Sequence, residues 1–437
     1  MLPHPAQRWR HGLLGLLGAV ALASCNTLPV QAETEPEQLS LDSSWPTAQQ
    51  LLNLPDWMGL QLSVTAEPLF NPIGGSRSAG SWIQQGTASL DLGTGLNRPI
   101  SNWRELDHWQ INATVNHSVG DGYYNTAVGA LFPLQQVAYP AGFYLSNVSI
   151  ERHRGEGWLS VKAGILPINP DFVEVPVLGN YVHSALNNTL NITVADLPIN
   201  PYSSLGGVVT AQISPELNLR YGLFDLSSTE SISRWLGLSE GSVGPDSGTA
   251  QFLQLTLKPA SMESRPVQAC HREWGIVRWS SRQPTCPRPV HVQNQLDDGL
   301  VSLGGFVTSE NGNAVYGSLT LPSGLPLGLD NRIWIGGSYS PDASLDISPS
   351  FVGGGLVIQG PLASRPLDVM VLGIGRGGLS NQVLTSPYEA MLELGYRIQF
   401  NQSLNLQPTL QWIFNPSGAL QPVAGILAAG VQVQLNF

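Results

Sequence analysis

The sequence predicts an all-β protein, a transmembrane antiparallel β-barrel of sixteen strands, and three observations carry that expectation. Charged residues make up only 12% of the 437, against roughly 25% in ordinary soluble domains, too few to wet the whole outside of a chain this long. Mean hydropathy is only +0.02, and past the N-terminus no uninterrupted apolar run approaches the roughly 18 to 20 residues of a spanning helix. Polar and apolar residues instead alternate with period two, and a closed barrel of such strands satisfies every backbone group in lipid. Length alone decides nothing, since one large barrel fits as well as several domains.

Taken in chain order, Arg8 and Arg10 precede the apolar run GLLGLLGAVALAS, and LPVQA and the acidic ETEPEQ follow. With Val30 and Ala32 as small residues before a cut, residues 1–32 read as a secretory signal peptide. Leu22, Ala23, Ser24 and Cys25 also resemble the lipobox of bacterial lipoproteins, in which the Cys25 thiol would carry a lipid. The cut after Ala32 is preferred, because a barrel needs no lipid anchor. Removal of this segment takes away two arginines and no acid, moving the formal charge from −11 to −13. Residues 33–58 are mixed in character and suit a short helix or plug before the first strand.

From Gly59 to the end, strand-like runs alternate with clusters of Gly, Pro, Asn, Asp and Ser. The runs are 59–70, 81–94, 108–119, 144–154, 158–167, 204–214, 217–226, 250–258, 298–309, 314–322, 331–341, 351–361, 367–378, 388–400, 404–414 and 425–437. Sixteen is an even number, as single-chain outer-membrane barrels require. In LELGYRIQF, Leu392, Leu394, Tyr396, Ile398 and Phe400 share a face opposite Glu393, Gly395, Arg397 and Gln399. LNLQPTLQWIF sets Leu404, Leu406, Leu410, Trp412 and Phe414 against Asn405, Gln407, Thr409 and Gln411, and HWQINATVNH sets Trp109, Ile111, Ala113 and Val115 against His108, Gln110, Asn112, Thr114 and Asn116.

Alternation alone also suits a soluble sandwich. The polar face separates the two: Gln, Asn, Ser, Thr and Gly dominate it, and the chain has only two lysines, Lys162 and Lys258, beside 18 arginines. A soluble sheet would carry more Lys and Glu to blunt its edges. Trp57, Phe70, Trp82, Trp103, Phe400 and Phe414 gather at run ends, as interfacial girdles do.

Once Cys25 leaves with the signal, Cys270 and Cys286 remain. In an exported protein the pair is most simply a disulfide, with two separated thiols as the alternative. No Cys-x-x-Cys spacing occurs, and no metal or cofactor is expected.

The C-terminal sequence YEAMLELGYRIQFNQSLNLQPTLQWIFNPSG (388–418) and the closing AGVQVQLNF resemble the end of the carbohydrate-selective outer-membrane porins of the OprB type. GGGLVIQGPLASRPLDVMVLGIGRG (353–377) resembles that family's hairpin around a Gly-Arg-Pro turn, with Ser364, Arg365 and Pro366 in its place. VKAGILPINPDF (161–172) is similar to the strand and turn before its inward-folded loop. The resemblance covers most of the chain from about residue 140 and implies a sixteen-strand barrel passing small sugars by passive diffusion through a narrowed polar pore. Two departures stand out. The family's Gly-Asp-Trp-Gly-Gly-like N-terminal stretch is missing, and residues 259–297 form a long insert carrying both cysteines and Arg265, Arg272, Arg278, Arg282 and Arg288. Strand parity puts that insert on the periplasmic side, where turns are usually short.

A sugar pore needs hydrogen-bonding partners and aromatic faces rather than a nucleophile. Polar-face candidates are Glu67, Asp91, Asn112, Glu151, Lys162, Arg220, Glu393, Arg397, Gln399, Gln407, Gln411, Gln432 and Gln434, most of them simply the wet wall. The long connection 169–203 is the candidate waist; if it folds inward, Asp171, Glu174, Tyr181, His183, Asn187 and Asn188 line it, and otherwise it is an ordinary extracellular loop. The insert's arginines would attract anions at the mouth or pair with neighbouring acids.

No Gly-x-Ser-x-Gly, P-loop or His-Glu-x-x-His occurs, and GGLS near residue 377 reads as turn material. An outer-membrane hydrolase barrel, or a closed barrel or lipoprotein with an adhesive or structural role, are the alternatives. Expected partners are small sugars, outer-membrane lipids and the barrel-assembly machinery, which would read the last strand ending in Phe437. Nothing points to nucleic acid, and monomer and trimer are both left open.

Overall fold

The computed structural model describes residues 37–41, 45–93, 108–154, 158–187, 197–235, 248–279, 286–309, 312–341, 347–381, 383 and 385–437. The expected signal segment, Trp103, Asn188 and Arg282 lie outside the described residues.

Strand β1 (Glu37–Leu39) and helix α1 (Ala48–Leu51) come first. Thr47 caps α1, accepting from the Gln50 amide while the Gln50 side chain accepts from the Thr47 amide, which satisfies two donors that a short helix leaves free. The first barrel strand is interrupted: β2 (Met58–Ala66) and β3 (Leu69–Ile73) flank Glu67–Pro68. The second is β4 (Ala79–Ser81) with β5 (Ile83–Gly93), then β6 (His108–Gly120), β7 (Gly142–Arg154), β8 (Leu159–Leu166), β9 (Ser204–Ser214), β10 (Leu217–Asp225) and β11 (Thr249–Leu257). Small strands β12 (Val267–Arg272), β13 (Gly275–Arg278) and β14 (Pro289–Val292) intervene. The barrel resumes with β15 (Leu300–Thr308), β16 (Asn313–Pro322), β17 (Asp330–Tyr339), β18 (Ser350–Gln359), β19 (Val369–Gly378), β20 (Tyr388–Gln399), β21 (Leu404–Phe414) and β22 (Ile426–Asn436).

Neighbouring barrel strands are antiparallel, and β22 closes the sheet on the first strand, its lower part against β2 and its upper part against β3. With the two interrupted strands counted once each, sixteen staves result. At the seam Phe437 and Leu62 exchange backbone hydrogen bonds of 2.8 and 3.2 Å, and the Phe437 ring stacks on Trp45 with centroids 5.9 Å apart. We call this the closing rim.

Sidedness follows the alternation. Leu303, Ile335, Leu372, Leu394, Leu410 and Trp412 stand exposed on the outside, while their strand neighbours Glu393, Gln411 and Asn405 are buried inside. A soluble barrel would invert this arrangement; exposed apolar rows of this extent require lipid. Trp57 and Phe400 flank strands at the closing rim, Phe414 ends β21 at the other, and Phe70 and Trp82 stand in that half of the two interrupted staves, so exposed aromatics flank the apolar band on both sides. No helix among the described residues is long and apolar enough to cross a membrane.

The inner face is polar only in part. Ile413, Ile426, Met391, Phe252 and Phe351 point inward and are buried, because two connections fold into the barrel and pack there. Residues 121–141 and the described residues 167–187 and 197–203 both enter from the rim opposite the closing one. The insert leaves β11 and rejoins at β15 on the closing rim, as strand parity requires, and its strands pair in the order β1-β14-β12-β13. Residues 37–39 are thereby a strand of this small sheet, running parallel to β14. Cys270 and Cys286 are disulfide-bonded within it, and Val267, Ala269, Val290 and Val292 pack on Leu329 and Leu367 from rim turns.

Candidate functional site

The longer inward connection begins LPINPDFVEVPV. Pro167, Pro170 and Pro176 remove donors that a continuing strand needs, so pairing stops. Phe172, Val173, Val175, Val177, Leu178, Tyr181 and Leu186 are buried, which means that the loop collapses into the barrel rather than standing in water. Phe172 meets the inward rings of Phe224 and Phe252 at 6.1 and 5.2 Å, and Phe252 stacks on Phe306 at 5.0 Å. Val173 holds φ at 69°, a conformation costly for a β-branched residue. Its amide donates to Gln254 Oε1 at 3.0 Å, and the resulting turn leaves Glu174 exposed between two buried valines.

A loop without regular pairing buries amides that need acceptors. The wall supplies them as carboxylates. Glu393 accepts from the amides of Val182 and His183, both at 2.8 Å, and from Thr409 Oγ1 at 3.2 Å. Glu389 accepts from the amides of Leu131, Phe132 and Ser417 at 2.8, 2.9 and 2.7 Å. Glu67 accepts from the Val137 amide at 3.1 Å and from Gln432 Nε2 at 2.6 Å, while its own carbonyl accepts from Gln135. Gln407 Nε2 donates to the Asn180 carbonyl and Gln411 Nε2 to the Leu134 carbonyl, at 2.8 and 2.9 Å.

Glycines make the seats. A Cβ on Gly373 would fall 2.5 Å from the Tyr181 ring, and one on Gly377 the same distance from Phe132. Tyr181 Oη donates to the Leu372 carbonyl at 3.0 Å and accepts from Trp334 Nε1 at 2.8 Å. Gly377 and Gly378, expected as turn material, therefore end strand β19, and Gly377 is the floor of an aromatic pocket.

The charged groups collect on the other side of the loop. Lys162 Nζ lies 2.6 Å from Asp171, and Arg220 NH1 donates to the Asp171 carbonyl at 2.8 Å. Glu174 touches water yet is hemmed in by protein; this burial, with Asp171 and Asp297 nearby, pushes its carboxyl up to about 7, while Arg220 pulls the other way. Asp297 comes from the insert, and burial raises it too, with Arg397 and Arg332 opposing. His183 is wholly buried, which lowers its imidazole to about 3 and keeps it neutral.

Twelve of the expected lumen residues separate into three groups. Lys162, Asp171, Glu174, Arg220 and Arg397 gather around the loop's charged side, where Arg397 shares the field of Asp297. Glu67, Glu393, Gln411, Tyr181 and His183 are at most 1% exposed, so they offer a solute no surface and hold the inward connections instead. Asp91, opposite Asn112, and Gln399, whose amide donates to Asp368 at 3.0 Å, sit near the closing rim. Of the insert's arginines, Arg265 pairs with Glu263 at 3.2 Å and Arg288 with Glu37 at 3.0 Å. Reading the sequence alone missed Glu389, Asp297 and the whole connection 121–141. The apolar stretch AVGALFPL within it was the available signal, since an exposed loop has no use for it.

A family model described as carbohydrate-selective porin, OprB family, matches residues 91–437. The high-pH structure of Pseudomonas putida OprB is 15% identical and superposes with a TM-score of 0.68, covering 89% of this chain and 96% of that one. The low-pH structure of the same protein is 14% identical with a TM-score of 0.52, covering 91% and 100%. No match was found among curated protein sequences.

Proposed function

The chain belongs to the OprB family of carbohydrate-selective porins, and from that premise we propose that sugars cross the barrel beside the inward loops, through a waist formed by Lys162, Asp171, Glu174, Arg220 and Arg397. The protein is an outer-membrane porin, a passive channel for carbohydrates. The observation that carries the proposed route is that Glu174 alone of residues 172–175 is exposed, beside a cluster of cations and carboxylates. A sugar hydroxyl both donates and accepts, so a waist offering guanidinium donors and carboxylate acceptors exchanges hydration for equivalent partners. Many such weak exchanges let the solute leave again.

The closing rim carries the two-residue turn between β9 and β10 and other short connections. Short turns mark the periplasmic side of such barrels, and we assign this rim there. Residues 1–32 are assigned as a cleaved signal, with lipid on Cys25 as the alternative; the mass of the mature N-terminus distinguishes them. Phe437, seated against Leu62 and Trp45, is assigned as the mark read by the assembly machinery. Deleting it should lower assembly far more than it alters the conductance of pores that form.

Planar-bilayer conductance blocked in a graded way by mono- and disaccharides tests the route. Charge-removing substitutions at Glu174 and Arg397 should change the block. Silent membranes would favour a closed barrel, and release of fatty acid or peptide from loaded liposomes would favour a hydrolase.

A further inference from the structure

The insert does more than decorate the closing rim. Past β14 its tail, 293–298, leaves the small sheet and runs along the inner wall. Gln359 Nε2 donates to the Gln293 carbonyl and Gln359 Oε1 accepts from the Gln295 amide, both at 2.8 Å, and Asn294 Nδ2 donates to Asp330 at 2.7 Å. Leu296 is buried in the same apolar cluster as the inward loop's valines. Arg332, 1% exposed, donates from Nε to the Asp297 carbonyl at 2.9 Å. That bond fixes the backbone of Asp297, and its carboxylate lies within the field of Arg397, Arg332 and Glu174. Arg397 keeps a buried Nε with no hydrogen-bond partner among the described residues.

We propose that the insert is a second jaw of the waist, and that Asp297 determines specificity by balancing Arg397, so that neutral sugars pass and anionic sugars such as uronates are held back. This rests on the porin reading above. Glu174 then approaches the wall arginines from one rim and Asp297 from the other. A waist whose positive charge is offset on both sides has no net pull on a carboxylate, whereas uncovering Arg397 creates one.

The experiment uses the full-length barrel in planar bilayers under a KCl gradient, and in liposomes swelling in glucose or glucuronate. Asp297→Asn should raise the anion-to-cation permeability ratio roughly threefold, the Boltzmann factor for one unit charge several ångströms from a passing ion in water. Swelling in glucuronate should rise with it, and swelling in glucose should not. Arg397→Gln should shift the ratio the opposite way, and the double variant should return close to wild type, because one positive and one negative charge leave the waist together. Glu263→Gln is the comparison, since Glu263 pairs with Arg265 at 3.2 Å on the exposed part of the insert and should leave selectivity unchanged. Heat-modifiable migration on gels reports that each barrel is folded. Wild-type selectivity in a folded Asp297→Asn barrel, or a double variant that keeps the full shift of Asp297→Asn, would overturn the inference while leaving the porin reading intact. A wild-type protein that neither conducts nor admits glucose would overturn both.

Discussion

Two of the segments that enter the lumen, one from each rim, are held by opposite means. Among its described residues the loop 167–203 has no strand, only a short helical turn at Pro176–Asn180 and scattered backbone bonds such as Ile168 to Pro198 and Phe172 to Ile168. It borrows acceptors from Glu393 and a seat from Gly373, both on the wall. The insert makes three strands of a four-stranded sheet completed by residues 37–39, with a disulfide closing a 16-residue separation and a small core, and its tail is the part that bonds to the inner wall among the described residues. An unpaired loop in a dry interior must find partners for each amide or lose roughly 1–3 kcal/mol apiece. A segment that has already paired its backbone needs none. The first is therefore sensitive to the wall, and the second to its own staple.

Glu393→Ala should break the contrast most sharply, because two buried amides lose a charged acceptor together, each such bond being worth roughly 1.5–3 kcal/mol. The loop should leave its seat and single-channel conductance should about double, as open cross-section grows. Unchanged conductance would show that apolar packing alone holds the loop. Gly373→Ala should act in the same direction with smaller effect: its methyl would collide with Tyr181, an overpacking that costs about 1–3 kcal/mol. Thermal unfolding of the purified barrel measures that loss.

Replacing Cys270 and Cys286 by serine tests the self-held segment. The closed loop is short, so the lost constraint is about 3 kcal/mol, and it falls on the insert. Limited proteolysis should cut within 259–297 faster, while heat-modifiable migration of the barrel stays as it was. A lowered barrel stability would mean that the insert braces the wall as well. The smallest effect comes from Glu174, whose carboxyl titrates near 7. Raising the pH from 6 to 8 adds negative charge at the waist, so cation selectivity should rise, by roughly threefold at most. Glu174→Gln should flatten that dependence, and a persistent slope would place the titrating group elsewhere.

What could be read beforehand depended on whether neighbours in sequence are neighbours in space. Within a strand they are, since Glu393 and Leu394 point to opposite faces of any extended chain, whatever it pairs with. Low charge, the missing spanning helix and that period determined a closed membrane barrel, and YEAMLELGYRIQF with its return strand determined the family. Even the parity of the insert followed from counting. What each inward side chain does was different: Glu393 and Arg397 occupy the same face four residues apart, yet one is sealed under Val182 and His183 and the other lies in the field of Asp297. Only the path of the chain through the lumen decides that, because burial of a wall residue is set by segments about 200 positions away. Likewise GGG and GIGRGG read simply as parts of strands, and nothing local in them announces that Tyr181 and Phe132 are pressed onto their glycines. Alternation fixes the side a residue faces; tertiary packing alone fixes whether water, a sugar or another part of the chain meets it there.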